Sequence, residues 1–537
     1  MAITVSGLTV HTQTGAGTWK DYGGGGGSAA NTDVFLSSTG SRGRKVSNGI
    51  KGFAYEVNAS GTDLSSTVIA IRWATLAGVG ALDTRANSGV VIRLEDTSGN
   101  TSDWAVDGND TYGGGWRVSV IDTARTETSN SGTAATLTAI QYVGVVWDET
   151  TTVGGGDDNC FIDEILSFAN TGLTVSGNST SLIADLQTWD DGGDYGLFET
   201  RSGIIFSKAN FDLQPDASDM SETGETLIFE NPAFYDGTNV SSCLSEIGIT
   251  CSDADNVTLT RCNIIADTNS GEITGTDSNR EFDISTATDF DLSTCLLRGF
   301  DGTNTVSLGG SGQSISFTTF EECGKITAGA AVIRDCIFRN TTDNTGAFFY
   351  DENSDLADCQ FFSDGTGYGI HYRPTGAGPF TETFDNITFD SYGLDETVDA
   401  ALHINPVTNG ADITINIQNS VTPTKDEDAA YTGTFTMQQT VTVKVTVSDT
   451  GGSVISGARV YMTADTGGPL SEGTVILNAD SNGSGIVQDT GFNFSSNQPV
   501  TGRVRKGSAS PYYKTGPISG TITDQGLDIT VFLVEDE

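Results

Sequence analysis

Histidine, methionine, proline and basic residues are all scarce: 3 His, 4 Met, 10 Pro and 26 Lys+Arg in 537 residues. With three histidines and no CxxC pair, there is little from which to build a zinc centre. The chain has no stretch of five consecutive basic residues, and 70 Asp+Glu set the formal charge at −44. Such a surface repels phosphate groups and anionic lipid, so nucleic acid is excluded as a partner and membrane insertion is not expected. No run of about 18 apolar residues occurs, so no transmembrane helix is expected. The opening MAITVSGLTV has neither a charged n-region nor an apolar h-region, so no export signal is expected.

What remains is rich in glycine and short polar residues. There are 67 Gly, and the apolar share is 36%. Helical bundles need more Leu, Ala, Glu and Lys than this. Disorder is excluded as well, because 26 Phe and 14 Tyr supply core anchors that disordered chains lack. The composition fits many short strands joined by polar turns, an all-β chain.

The middle of the chain carries an internal repeat. Segments 206–211 FSKANF, 229–234 FENPAF, 259–264 LTRCNI, 292–297 LSTCLL, 315–320 ISFTTF, 333–338 IRDCIF, 356–361 LADCQF and 384–389 FDNITF share one pattern. It reads large apolar, two variable, one small or medium, one variable, large apolar. A weaker copy is 412–417 DITINI. Last residues recur every 18 to 33 positions, which fits one turn of a solenoid with loops inserted at its corners. The reading is a right-handed parallel β-helix over 171–420. Residues two apart on a strand share a face, so the last apolar residues stack in one ladder and the small ones in a second.

Seven of the eight cysteines fall between 243 and 359, and Cys262, Cys295, Cys336 and Cys359 occupy the small position. There cysteine acts as a small, buried apolar residue. A disulfide, for example between Cys243 and Cys251, is the lesser alternative. Asn263, Asp335, Asp358 and Asn386 flank the repeat strands and read as turn formers.

The flanks lack the repeat. Residues 1–170 alternate strands with Gly-, Asn- and Ser-rich turns and suggest an antiparallel jelly-roll sandwich. The segments GGWRVSVID at 114–122, IQYVGVVWD at 140–148 and DDNCFIDEI at 157–165 resemble those of concanavalin-like sandwich domains. Residues 421–437, polar and carrying Pro423, read as a linker. Residues 438–537, opening with VTVKVTVSDTGGSVISGARVYMTAD at 441–465, resemble immunoglobulin-like or carboxypeptidase-regulatory-like modules, without the Cys…Trp…Cys signature. The layout as a whole resembles bacteriophage virion appendages: tail fibres, tailspikes and capsid fibres. The resemblance implies a structural part projecting from the particle, a self-associating and often trimeric chain. It further implies other phage structural proteins as partners, a host glycan or receptor as target, and residues 1–170 as the virion anchor. A bacterial surface adhesin is a further alternative.

Some tailspikes cleave polysaccharide with paired carboxylates, which is the enzymatic alternative here. Asp190, Asp191, Asp194 and Glu199 cluster before the first coil, Asp351, Glu352 and Asp355 before the seventh, and Glu321 and Glu322 follow the fifth. With 70 acids such clusters arise from composition alone, so no catalytic residue is assigned. His11, His371 and His403 have no nucleophile elbow beside them. Glycan-binding candidates are Trp189, Asp194 and Tyr195 in TWDDGGDYG, and Tyr368, His371 and Tyr372 in GYGIHYRP. Rings there could stack on a sugar while carboxylates accept its hydroxyls, although packing of loops on the solenoid is the simpler reading. No cofactor is assigned. Calcium is an option at DDGGDYG, 190–196, or DGND, 107–110.

Overall fold

The computed structural model describes residues 3–536 apart from 13–15, 24–26, 32–40, 45–48, 76–88, 107–114, 150–159, 215–218, 253–255, 268–271, 303–305 and 310–311. The chain is all-β: among the described residues one α-helix, Leu182–Gly193, accompanies dozens of strands. No helix among them is long and apolar enough to cross a membrane. The chain divides into two compact units, Met1–Ala331 and Val332–Glu537.

The first unit opens with two antiparallel sheets. One runs Gly115–Asp122, Thr67–Thr75, Cys160–Ala169, Ser41–Arg44, Ala29–Asn31. The other runs Trp19–Tyr22, Gly49–Glu56, Ile140–Glu149, Val90–Asp96, Thr101–Ala105. Aromatic side chains join them: Trp73 on the first meets Trp147 on the second at 6.1 Å, and both are fully buried. Thr67–Thr75 is buried along almost its whole length, so between its terminal threonines the run TVIAIRWAT is apolar without alternation, with one exception, Arg72.

From residue 173 onward three parallel ladders form in this unit. Leu173–Gly177, Phe211–Leu213, Glu246–Cys251, Asn279–Asp283, Val306–Ser307 and Ile326–Thr327 make the first. Asp219–Thr223, Asn256–Thr260, Asp289–Ser293 and Ser314–Ser316 make the second. Ile204–Ser207, Thr226–Phe229, Asn263–Ala266, Leu296–Arg298 and Thr319–Glu321 make the third. At their first end Ile3–Ser6 pairs antiparallel with Leu173–Gly177, and Phe198–Arg201 with Ile204–Ser207. Two edges that would otherwise invite a foreign strand are thereby occupied.

The repeat pattern straddles a corner between the second and third ladders. Leu259, Leu292 and Ile315 stand in register, as do Ile264, Leu297 and Phe320. The first two copies read from the sequence do not belong to this register. Phe211 pairs with Ile249 on the first ladder. Phe234 lies in a hairpin, Ala233–Tyr235 with Val240–Ser242, that leaves the coil and joins the antiparallel sheet through Tyr235 and Ala105. The residues in register with Leu259 and Ile264 are Glu222 and Leu227. A carboxylate in the apolar position hid this copy.

The second unit repeats the arrangement. Phe348–Tyr350, Ile370–Tyr372, Leu402–Ile404 and Lys425–Glu427 form one parallel ladder. Val332–Arg334, Asp355–Ala357, Phe380–Asp385, Ile413–Gln418 and Phe435–Asp449 form another, and Ile337–Arg339, Gln360–Phe362 and Thr388–Asp390 a third. In the third, Phe338 stacks on Phe361 at 4.5 Å and Phe361 on Phe389 at 5.2 Å. Ile417 of the weaker copy registers with Phe384, the first apolar residue of its neighbour rather than the last. The stretch 421–437 contributes the paired strand Lys425–Glu427 and the start of Phe435–Asp449. That 15-residue strand then continues into a further layer, pairing with Ile486–Phe494 and Leu527–Leu533. A four-stranded sheet, Val475–Asp480, Arg459–Ala464, Gln498–Lys506, Tyr513–Ile522, closes over it. Val443, Val445, Val447, Val460, Met462 and Val504 form the core between the two.

All eight cysteine side chains are buried. At the corners the thiols donate to the carbonyl two residues back, Cys262 to Thr260 at 3.4 Å and Cys359 to Ala357 at 3.1 Å. The Cys262 amide donates to Cys295 Sγ at 3.3 Å, and the Cys295 amide to Thr318 Oγ1 at 3.3 Å, so the small residues form one column.

Candidate functional site

The helix Leu182–Gly193 is the element the sequence reading missed, and it organises the site. Its buried residues Leu182, Ile183, Leu186 and Asp190 recur at helical spacing, a signal present in LIADLQTWDD. Ser181 makes no side-chain cap. The ladder residue Glu222 caps the helix instead, accepting from the Ile183 amide at 2.7 Å. Burial raises the Glu222 carboxyl above the ordinary range, against the pull of the Thr223, Ile183 and Ala184 amides.

At the other end Asp194 takes φ 54° and closes the last turn. The Asp190 carboxylate accepts from the amides of Leu197 at 2.8 Å and Gly196 at 3.0 Å. Burial pushes Asp190 up to about 6, against the Leu197, Phe198 and Gly196 amides and the charge of Arg72. TWDDGGDYG is thus a helix end and its cap, not an open loop. Trp189 and Tyr195 face each other across it with ring centres 4.9 Å apart, and Trp189 also meets Phe198 at 6.4 Å.

This cap forms one wall of a groove of about 790 Å³. Strand Gly115–Asp122 forms another, with Trp116 and Arg117, and Phe198–Arg201, Lys208 and Glu230–Ala233 form the third. Arg72 lies in the lining, 7% exposed. Its Nη1 is 3.6 Å from Glu164 Oε2 and 3.9 Å from Asp163 Oδ2. That atom has no hydrogen-bond partner among the described residues. A Cβ on Gly196 would come within 2.8 Å of Arg72 Nη2, so glycine lets the cap close over the guanidinium. Burial lowers Arg117 to about 10, and its guanidinium lies over the Trp73 ring at 5.4 Å.

The groove's other charges are largely matched. Arg201 bridges Glu199 and Glu230 at 2.5 Å each, and Lys208 lies 3.5 Å from both acids. Burial pushes Glu199 up, but Arg201 and Lys208 outweigh it and hold the carboxyl below its ordinary range. Asp191 and Asp194 are exposed at the rim.

No family model and no curated protein matches the chain. Among solved structures, the Agl-KA catalytic domain aligns with 80% of this chain and 99% of its own, at 11% identity. The TM-score is 0.18, and a likeness of that order carries no argument.

Of the sequence candidates, the structure brings Asp190, Asp191, Asp194 and Glu199 into the groove lining. Trp189 and Tyr195 pack beside it on each other. Tyr368, His371 and Tyr372 belong to the second unit and are 6%, 3% and 0% exposed. Their rings are engaged in packing. Tyr368 stacks on His403 at 4.4 Å, and His371 lies between Phe349 and His403 at 4.3 and 4.6 Å. Tyr372 meets Tyr350 at 5.8 Å. None of the three offers an open face to a sugar.

Four of the remaining acids are already hydrogen-bonded within the chain. Glu352 accepts from Thr375 and Gly376, Asp351 from Asn353, Asp355 from Arg334 and Glu322 from Arg298. DGND at 107–110 lies outside the described residues, and among the described ones no three His, Cys, Asp or Glu side chains converge as metal ligands. Arg72 was not singled out from the sequence. A lone charge inside TVIAIRWAT, matched by the acid pair in CFIDEILSF, was the available signal.

Proposed function

We propose that this chain is a projecting structural component of a phage particle, a fibre, spike or capsid decoration that contributes to host-surface attachment. In this reading the parallel ladders are a right-handed β-helix. The sheets of residues 1–170 are a concanavalin-like anchor, and residues 438–537 are an immunoglobulin-like module. The observation that carries the reading is the closed first end of the ladders, where Ile3–Ser6 and Phe198–Arg201 occupy the edges. Coils hydrogen-bonded to both neighbours and capped at an end resist opening, proteolysis and end-to-end polymerisation, as an exposed appendage must. The partners are other structural proteins of the particle, further copies of the chain in a homotrimer, and a host glycan or receptor.

A depolymerase needs two available carboxylates about 5–5.5 Å or about 6.5–9.5 Å apart. Asp190 is committed to two backbone amides and Glu199 to Arg201 and Lys208, so attachment is preferred over cleavage. Immunogold electron microscopy of purified virions, with antibody against residues 438–537, tests the reading. Label on the tail or the capsid supports it and places the appendage. Particles that stay bare while control antibodies label properly overturn it.

A further inference from the structure

We infer that the outer face of the four-stranded sheet in the second unit binds an acidic glycan of the host surface, a run of pyranose rings bearing carboxylates. The inference deepens the attachment reading and rests on it for where the glycan is met.

Charge is the first argument. The chain holds 70 acids and 26 bases. Yet the strands Val475–Asp480, Arg459–Ala464, Gln498–Lys506 and Tyr513–Ile522 hold five bases, Arg459, Arg503, Arg505, Lys506 and Lys514, and one acid, Asp480. No Asp or Glu occurs between Asp489 and Asp524. Position is the second argument. Val460, Met462 and Val504 belong to the core, so the alternating residues Arg459, Tyr461, Arg503 and Arg505 lie on the opposite face. All three arginines are exposed. Arg459 stands directly across from Arg505, and Tyr461 from Arg503. Like charges directly opposite destabilise a sheet, so the fold gains nothing from this arrangement. The two strands concerned are the central ones of the four, so protection of an edge does not account for the bases. Nor does solubility of the face, which Thr463, Thr501, Ser519 and Thr521 supply further along the same strands.

The chemistry of the face selects the ligand. Arg459 Nη1 lies 3.3 Å from Asp480 Oδ1, whereas Arg503 and Arg505 enter no ion pair among the described residues. Guanidinium forks grip carboxylates through paired hydrogen bonds. Half-buried Tyr461 stands between Asn478 and Arg503 in its row, and exposed Pro517 lies across from Arg503. Tyrosine presents an apolar ring with a polar tip, a surface on which a pyranose can lie. A bare phosphate makes no use of that ring, and a neutral sugar makes none of the arginines. Elsewhere acids are in excess and repel a polyanion, which confines contact to this face. The acidic body of another copy also complements the arginines, but that head-to-tail contact grows into rings or filaments.

The test is calorimetric titration of the full chain, at low salt, with hexagalacturonate, a sialic acid hexamer, maltohexaose and inorganic tripolyphosphate. At least one of the two acidic glycans should bind saturably, and about 0.5 M NaCl should weaken it about tenfold or more. At low salt Arg503→Thr combined with Arg505→Thr should weaken it about tenfold or more, and Tyr461→Ala about threefold or more. Lys444→Thr, on the opposing sheet, removes a base outside the face and should leave binding unchanged. The arginine variant carries the threonine found elsewhere on that face and should keep the wild-type melting temperature, so lost binding there is not lost folding. Maltohexaose bound as tightly overturns the ligand class, as does tripolyphosphate bound as tightly and indifferent to Tyr461→Ala. No binding of either acidic glycan at about 10 mM, where a millimolar Kd would register, or binding indifferent to the arginine variant, overturns the site. Sedimentation of the chain alone decides the other occupant: assembly that grows with concentration and vanishes in the arginine variant assigns the face to a second copy and overturns the glycan. The gold label decides virion location independently. Labelled particles with a glycan-blind chain sink the face alone, and a glycan-binding chain with bare particles sinks the appendage alone.

Discussion

Each coil turns its corner through one residue in the left-handed region. Gly224, Arg261, Thr294 and Phe317 occupy it in the first unit, and Asp335, Asp358, Asn386 and Asn419 in the second. Glycine, Asn and Asp tolerate that backbone, which is why Asp335, Asp358 and Asn386 stand there. Asn263, read alongside them, begins a strand instead. Asn386 also reaches back to Asp358 Oδ1 at 2.8 Å, tying successive corners. Phe317 is the misfit, a bulky residue at φ 52° and 61% exposed. Phe317→Asn should therefore raise stability by about 1 kcal/mol, read from the midpoint of denaturant unfolding; a lower midpoint would mean that the ring makes contacts worth more than the strain. His11 supplies a second residue-scale expectation. Burial lowers it from 6.5 to about 4 while its Nε2 meets Ser167 Oγ at 2.9 Å. The unfolded chain takes up the proton first, so the stability from neutral His11 is present above pH 6.5 and lost as pH falls towards 4. Unfolding free energies at neutral and mildly acidic pH should converge by about 2–3 kcal/mol in His11→Gln relative to wild type; an unchanged pH slope would rule His11 out as its source.

At the element scale, ladder positions differ in what they can bear. Phe338 is 1% exposed, stacked on Phe361 and edge-on to Phe348 at 5.6 Å. Phe338→Asp places an uncompensated charge in that column and should abolish soluble expression. Cys336→Ala removes one small side chain and should cost far less, with melting insensitive to reductant. A soluble Phe338→Asp protein with wild-type melting would contradict the register described. Glu222 presents the converse case, an acid where its column otherwise holds Leu259, Leu292 and Ile315. Its carboxylate is the helix cap, so Glu222→Leu should speed amide exchange over residues 182–186 by an amount matching about 1 kcal/mol of lost capping. Exchange that stays slow there would show the helix to be held by its apolar face alone.

For the molecule as a whole, charge is the dominant variable. A formal −44 makes the folded state repel itself, and salt screens exposed charges beyond roughly 8–10 Å at physiological strength. Melting temperature should climb by several degrees between about 10 mM and about 0.5 M NaCl. A falling curve in calorimetry would mean that ion pairs such as Arg201 with Glu199 and Glu230 outweigh the net repulsion.

Composition and periodicity by themselves determined the all-β class, the repeat, and the burial of Cys262, Cys295, Cys336 and Cys359 at its small position. These follow from local physics: strand alternation, small residues after a bend, short polar residues in the left-handed region. Only the tertiary structure decided that Glu222 rather than Phe211 opens the register, that the hairpin at 233–242 leaves the coil for Ala105, and that Ile3–Ser6 closes Leu173–Gly177. It likewise turned TWDDGGDYG into a helix cap and brought Arg72 beneath it. Each of these depends on a partner far away in the chain, and a repeat pattern carries no record of which distant strand or carboxylate will meet it.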